Sequence, residues 1–575
     1  MILCYRRGIC EVHGDARYVV TVFRYVIASE VCQQHTIAKS SCHLICCHVK
    51  RQADRTPLVR FDVAVNTDIG TCCCRRSRGG FKEVKNFGVA KTEEEADRLY
   101  AEASEWVRRF GGQKEIDFAQ SSIIQQEFLE SERVLNNISA VVLNGPQQIL
   151  NQVYDSIGFN RIRDEVLRHL VIARICQPLS KSATADYLKS YFHEDVSLDQ
   201  IYRYMDKLYN KQRELVQQIS VEHTRKILGG SIGLMFYDVT SLYFETGIQD
   251  ELRTNGFSKD GKTSESQIIL GLLVSADGYP LSYSIFNGGQ YEGRTMIPII
   301  DDFIQRFSIK DFVVVADSGL LNKTNVELLR RAGYKYILGS RIKKEPTDIV
   351  EWLLAQEKIS GAYHEYTREN GERLIVSYSE QRAKKDAHNR EKGIERLRKA
   401  YSSGVLTKAS INRRGYNKFL TISKDVQVVI NEQEIENDSK WDGLKGYVTN
   451  TDLDAEQVVA QYHSLWYVER AFRVTKGNLE ARPIFHFTEK RIEAHICICF
   501  IAYKVYKELQ RIIALHGGIN LSVDKVLDIA KTIPTIKLSL PYSDYERVKT
   551  LFLTDKHQQI KPLFDIKSIL KQKEF

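Results

Sequence analysis

The chain has 575 residues, of which 43% are hydrophobic and 27% charged, with a formal net charge of +9. That length predicts several domains and a large buried core, and the composition is that of an ordinary globular protein. No apolar run is long enough to span a bilayer and no signal-peptide pattern opens the chain, so no membrane association is expected and the expected location is cytoplasmic.

Residues 1–80 differ from the rest. They hold nine of the 12 cysteines and carry 12 Lys and Arg against six Asp and Glu. Adjacent pairs such as Cys46-Cys47 and the run Cys72-Cys73-Cys74 lack the C-x2-C spacing of a zinc module. Disulfides are not expected without an export signal. Composition changes abruptly near Gly79-Gly80, and no Met occurs between Met1 and Met205. The segment reads as out-of-frame or upstream DNA fused to the protein.

From Phe81 the pattern becomes regular. Thr92-Glu-Glu-Glu predicts a capped helix running to about Phe110 and stopping at Gly111-Gly112. Residues 81–228 read as a helical region. Within it, capped helices at Leu179–Leu188 and Ser197–Asp206 could form a helix-turn-helix reader of DNA or part of a plain bundle. Residues 229–345 switch to strands (232–240, 267–275, 281–286, 312–317, 335–340) alternating with helices (294–307, 322–332). Residues 346–450 mix strands (373–378, 418–423, 427–431, 446–450) with a basic block: residues 381–420 hold 12 Lys and Arg against three Asp and Glu, which suits a phosphate backbone. Residues 451–515 are helical, with Ala494–Val505 as a buried segment. Residues 516–575 are mixed and suggest no role.

Three acidic residues stand out. Asp238 ends the apolar run Leu234-Met-Phe-Tyr-Asp. Asp317 ends Phe312-Val-Val-Val-Ala-Asp, 79 residues later on the fourth predicted strand. Glu469 lies in a helix. Two carboxylates at strand ends with a third on a helix supply the hard oxygen donors that a pair of Mg²⁺ (or Mn²⁺) ions needs for phosphodiester chemistry. On one continuous helix Tyr462, Glu469, Arg473 and Lys476 fall within about 60° of one another, with Trp466 flanking them. On that reading Glu469 completes the metal site, Arg473 and Lys476 hold phosphates, and Tyr462 and Trp466 stack on or contact DNA.

With these residues in place, the chain resembles the DDE transposases of bacterial insertion sequences, in the branch whose last motif is Tyr-x2-Arg-x3-Glu-x6-Lys. That motif is Tyr462, Leu465, Glu469 and Lys476 here, with Leu465 where the family has Arg. The resemblance runs from about Phe81 past Tyr506 and includes Gly256–Asp260, Gln267–Leu273 and Asp442–Asn450. It implies an α/β RNase H-like catalytic core interrupted by a β-rich insertion and preceded by an all-α DNA-binding region. It also implies Asp238, Asp317 and Glu469 as ligands of two Mg²⁺ (or Mn²⁺) ions. The implied partners are double-stranded DNA, as terminal inverted repeats and target, and a second copy in a homodimeric synaptic complex at the nucleoid. The activity implied is cleavage at the element's ends and joining of the 3′-OH ends to target DNA. Two alternatives stand beside it: an RNase H-like nuclease without joining activity, and a catalytically decayed DNA-binding relic.

Overall fold

The computed structural model describes residues 58–63, 69–77, 80–90, 92–110, 118–257, 261–262, 264–320, 323–406, 411–412, 415–422, 428–539 and 545–571. Most of the cysteine-rich segment, including Cys4, Cys10, Cys32, Cys42, Cys46 and Cys47, lies outside these residues. The chain divides into two compact units, Met1–Asn136 and Asn137–Phe575.

In the first unit, β1 (Leu58–Val63), β2 (Ile69–Ser77) and β3 (Gly80–Ala90) form an antiparallel sheet in that order. α1 (Glu93–Phe110) packs on it, and α2 (Phe118–Asn136) follows. Thr92 Oγ1 accepts the backbone N–H of Glu95, the cap read from the sequence. β2 pairs along its length with β3, so the change in composition near Gly80 falls inside one sheet.

The second unit opens with β4 (Ile138–Val142) and the helices α3 (Gly145–Ile157), α4 (Glu165–Cys176), α5 (Lys181–Tyr187), α6 (Leu198–Lys207) and α7 (Arg213–Ile227). Ser180 caps α5 through the Ala183 N–H, and Ser197 forms a capping box with Gln200 at α6. The strands β5 (Leu234–Tyr243), β6 (Gln267–Ser275) and β7 (Pro280–Asn287) then form an antiparallel meander. α8 (Met296–Phe307), β8 (Val313–Ala316), α9 (Lys323–Arg331), β9 (Lys335–Ser340) and α10 (Thr347–Ala355) follow. β8 returns parallel beside β5, and β9 parallel beside β8.

Residues 346–450 do not form a separate module. β10 (Tyr363–Thr367), β11 (Arg373–Tyr378) and, after α11 (Glu380–Ser402), β12 (Leu420–Ile422), β13 (Val428–Ile430) and α12 (Glu432–Ser439), β14 (Leu444–Thr449) follow in order. β10, β11 and β14 extend the main sheet past β9, giving the order β10-β11-β14-β9-β8-β5-β6-β7; β12 and β13 pair only with each other. The strand positions read from the sequence agree with the observed ones to within a few residues at their ends.

Helices α13 (Ala455–His463) and α14 (Trp466–Lys476) cover one face of this sheet. α15 (Glu489–His516) is buried nearly all round, including Ala494–Val505, as expected for a helix apolar on every side. α3, α4, α6 and α7 pack on it, so α3–α7 share one core with the sheet. α16 (Val523–Ala530), β15 (Thr535–Ser539), β16 (Glu546–Thr550), α17 (Asp555–Ile560) and α18 (Ile566–Lys571) return to the start of the unit, where β15 pairs with β4. Among the described residues no helix is long and apolar enough to cross a membrane.

A buried polar cluster ties α15 to α7 and to the β6–β7 turn. The Lys504 ammonium donates to the Ser220 carbonyl (3.0 Å) and Thr224 Oγ1 (2.5 Å). Glu508 accepts from Arg511 (2.5 and 3.0 Å) and from the Tyr279 hydroxyl (2.8 Å). Burial alone would raise the Glu508 carboxyl, but the hydrogen bonds from Arg511 and the nearby His223 ring, 3.6 Å away, outweigh it and bring the pKa to about 2. Burial first, then the Lys504 and Arg511 charges, lowers the His223 pKa against the pull of Glu508, and the close ion pair of Glu508 is with Arg511.

Glu508→Ala is expected to destabilise the chain by about 3–5 kcal/mol in denaturant titration, because it strands buried cationic and phenolic partners. The sign follows from a carboxyl whose folded pKa lies below its ordinary 4.5. Its contribution is present above about pH 4.5 and is lost as pH falls toward about 2, so the stability gap between parent and variant should close over that window.

Candidate active site

The site is set by the register of parallel strands. Tyr237 on β5 stands opposite Ala316 at the end of β8. Continued one step, that register sets Asp238 on β5 level with Asp317, the residue that follows the end of β8. Asp238 therefore lies within its strand rather than at its end, as the sequence reading had it, and only Asp317 follows a strand terminus. Side chains alternate across a strand. Met235, Tyr237 and Val239 face one core cluster and Phe236 and Leu242 the other. Asp238 belongs with the second set. On β8, Val315 packs on that side and Val314 and Ala316 on the opposite one, so Asp317 shares the face of Asp238. That face is the one covered by α13 and α14. Asp238 is half-buried and Asp317 exposed.

The lateral row continues. Ala316 pairs with Leu338 on β9, which brings Gly339 level with Asp317, and Gly339 pairs with Tyr447 on β14. A Cβ at Gly339 would lie 2.4 Å from the Tyr462 hydroxyl and 2.9 Å from the Ser318 nitrogen. The missing side chain is what lets Tyr462, descending from α13, donate a 2.8 Å hydrogen bond to Asp317 Oδ1. Tyr462 is buried, at 3% exposure. Burial first, then the Asp317 carboxylate, holds its phenol protonated far above the usual tyrosine value, with a smaller push from Asp238. Arg341 fixes the loop after Asp317 from below: its Nε donates to the Ser318 carbonyl (3.0 Å) and its Nη2 to the Gly319 carbonyl (3.2 Å).

The one helix expected to carry Tyr462 through Lys476 is broken. α13 ends at His463 and α14 begins at Trp466, with 3₁₀-type bonds from Tyr467 to Ser464 and from Val468 to Leu465 across the joint. α13 crosses β8, β9 and β14, whereas α14 crosses β5 and β6. Tyr462 consequently leaves the face of the other motif residues and points into the sheet. Trp466, Glu469 and Arg473 are exposed on α14 and Lys476 is half-buried. Trp466 stacks on Tyr467 at 4.0 Å, with Arg470 5.8 Å from its ring. Leu465 is buried at the joint with 6% exposure and packs in the core.

Lys445 and Gly339 escaped the sequence reading. The ammonium of Lys445 on β14 lies 4.5 Å from the Tyr462 ring centroid and 5.6 Å from that of Tyr447. Burial, then the Arg382 guanidinium, lowers its pKa, while Asp317 and Glu469 pull it back up, so both carboxylates act on it. A glycine inside the strand Lys335–Ser340 was a legible mark of close approach.

Asp238 and Asp317 offer hard oxygen donors from adjacent strands, and the chemistry of that pair fits a divalent cation of the Mg²⁺ class. Among the described residues, no three His, Cys, Asp or Glu side chains are gathered closely enough to hold one ion. The strand register sets the two aspartates on adjacent strands and one face, while Glu469 is exposed on α14.

No curated protein matches this chain. Among solved structures it is similar to the piggyBac transposase synaptic complex with hairpin DNA, at 11% identity over 64% of this chain and 70% of that chain, with a TM-score of 0.36. It is also similar to the Mos1 transposase paired-end complex with left transposon end, at 8% identity over 30% of this chain and 58% of that chain, with a TM-score of 0.14. Residues 232–504, which include Asp238, Asp317, Tyr462 and Glu469, match the family model described as a transposase DDE domain.

Proposed function

We propose that this chain is an insertion-sequence transposase that binds the ends of its element, cuts the DNA there and joins the 3′-OH ends to target DNA. The observation that carries this reading is the placement of Asp238 and Asp317 side by side on parallel strands, one face of which also receives Tyr462 and Lys445. Asp238 and Asp317 would hold the divalent cations, with Glu469 reaching them from α14 when the substrate is bound. Two bound cations of this class supply an activated water or 3′-OH and charge stabilisation at the leaving oxygen.

The chain's own residues do the rest. Tyr462 holds one oxygen of Asp317, leaving the other to face a ligand, and Gly339 gives it room. Arg341 pins the loop that carries Asp317. Arg473 and Lys476, on the same helix as Glu469, grip phosphates flanking the cut, and Trp466 offers a face for a base. Water attacks the phosphodiester at the element's end; the 3′-OH released then attacks a target phosphodiester and expels a second 3′-OH. Tyr462 is buried and already engaged as a donor, so it is no nucleophile and no protein–DNA bond forms. α5 and α6 are the candidate DNA-reading pair, α11 brings the basic block, and a homodimer would hold two ends together in the cytoplasm at the nucleoid.

The test is strand cleavage and joining in Mg²⁺ on DNA that flanks the gene. Asp238→Asn, Asp317→Asn and Glu469→Gln should each lower cleavage by more than about 100-fold while gel-shift affinity for the same DNA stays within a few-fold. Full activity in any of the three removes that residue from the site. Tyr462→Phe, which keeps the ring and deletes the donor to Asp317, should cost about 10–100-fold in rate or in Mg²⁺ affinity; an unchanged Mg²⁺ titration would refute that role. Binding without cutting in Mg²⁺ or Mn²⁺ would identify a decayed copy, and cutting without joining a nuclease.

A further inference from the structure

Lys445 has a position that its neighbours in sequence do not explain. β14 is otherwise small or apolar, Leu444-Lys-Gly-Tyr-Val-Thr449, and all its residues except Lys445 and Leu444 lie in register with β9. Leu444 and Val448 face the α8 side of the sheet and Tyr447 the α13 side. By alternation Lys445 joins Tyr447, on the face that holds Asp238 and Asp317. There its ammonium is half-buried against the rings of Tyr462 and Tyr447. The Tyr462 ring it touches is the one whose hydroxyl holds Asp317.

Among the described residues Lys445 closes no ion pair, although Asp317 and Glu469 both act on it. A lysine serving only the fold would be expected either to reach a carboxylate or to extend its ammonium to water. This one is withdrawn from water by two aromatic faces, which steer a cation without neutralising it. The like charge of Arg382, from α11, acts on the same ammonium. The Lys445 ammonium is thus a half-buried cation on the face that holds the two aspartates.

We propose that Lys445 is a further catalytic residue, whose ammonium binds a non-bridging oxygen of the phosphate that is cut. The inference rests on the reading of Asp238, Asp317 and Glu469 as the catalytic carboxylates. It gives the insertion a part in the chemistry: its last strand delivers a cation to the reacting group, in addition to the basic α11 that would follow the DNA backbone. Lys445 supplies fixed charge and takes no proton.

The experiment uses the full chain on duplexes of the gene's flanking DNA, with Lys445→Met, Lys445→Arg and Asp317→Asn compared with the parent. Lys445→Met should lower the maximal cleavage rate about 100-fold, with gel-shift affinity and melting temperature nearly unchanged and the Mg²⁺ concentration for half-maximal rate the same. Lys445→Arg should recover most of the rate. On a duplex with a neutral methylphosphonate at the cut position, the difference between parent and Lys445→Met should shrink to a few-fold. Normal cutting by Lys445→Met beside an inactive Asp317→Asn overturns this inference alone. So does a Lys445→Met defect that extra Mg²⁺ repairs, which would make the lysine a partner of the carboxylates, or one that follows a lowered melting temperature. If Asp317→Asn also cuts normally, the reading of the carboxylates fails first and this inference with it.

Discussion

The parallel pairing of β5 with β8 is the constraint on which the candidate site depends. With Tyr237 opposite Ala316, the next residues on both strands are aspartates, and both lie on the face that α13 and α14 cover. A slip of one residue in either strand would send its carboxylate to the opposite face, against α8 and its apolar cluster. The register is fixed because both faces of these strands are buried: Met235, Tyr237 and Val239 fill one core, and Phe236 and Leu242 the other. Packing on both sides therefore does the aiming, and no hydrogen bond between the two aspartates is needed.

From that register the rest of the centre follows by adjacency. β9 beside β8 places Gly339 level with Asp317, and β14 beside β9 places Tyr447 opposite Gly339, with Lys445 two residues along β14 on the same face. The strands of residues 346–450 that pair here are consequently a continuation of the main sheet. The return strand β14 shares backbone hydrogen bonds with β9, the strand whose Gly339 makes room for Tyr462. The charges are apportioned in the same way. The sheet's own strands contribute the acids, the insertion contributes Lys445 and Arg382, and a neutral phenol separates them.

Much of this was legible in the sequence, for definable reasons. Apolar runs such as Leu234–Tyr237 and Phe312–Ala316 marked buried strands, and the spacing of strands and helices from 232 to 340 gave the core in the right order. Ser180, Ser197 and Thr92 announced their helices through local capping chemistry. What could not be read depended on distant partners. The break at Ser464-Leu465 keeps nearly helical dihedrals, so the 3.6-residue pattern passes through it unmarked, and yet it turns Tyr462 away from Glu469. Nothing local to Tyr363–Thr367 or Arg373–Tyr378 tells that these strands join the main sheet. Lys445 gains meaning only from Tyr462, which stands on another element. Gly339 alone carried a local clue, a glycine amid strand residues, that was open to reading and was not read.

The pairing of β15 with β4 has a consequence for the order in which the unit can be completed. Asn144 and Gln148 at the start of α3 find their side-chain partners in Thr535 and Thr550, and Gln152 finds its partners in Phe564 and Ile566. During synthesis, the first helix of the unit emerges nearly four hundred residues before the strand that closes over it. At about 5–20 residues per second, that edge waits on the order of half a minute with its polar groups and its apolar flank uncovered. The catalytic sheet can pair in the meantime, since all its strands lie between 234 and 449. Closure of the helical layer by β15 therefore follows synthesis of every strand of the main sheet, and until β15 is made that sheet stands beside an open seam.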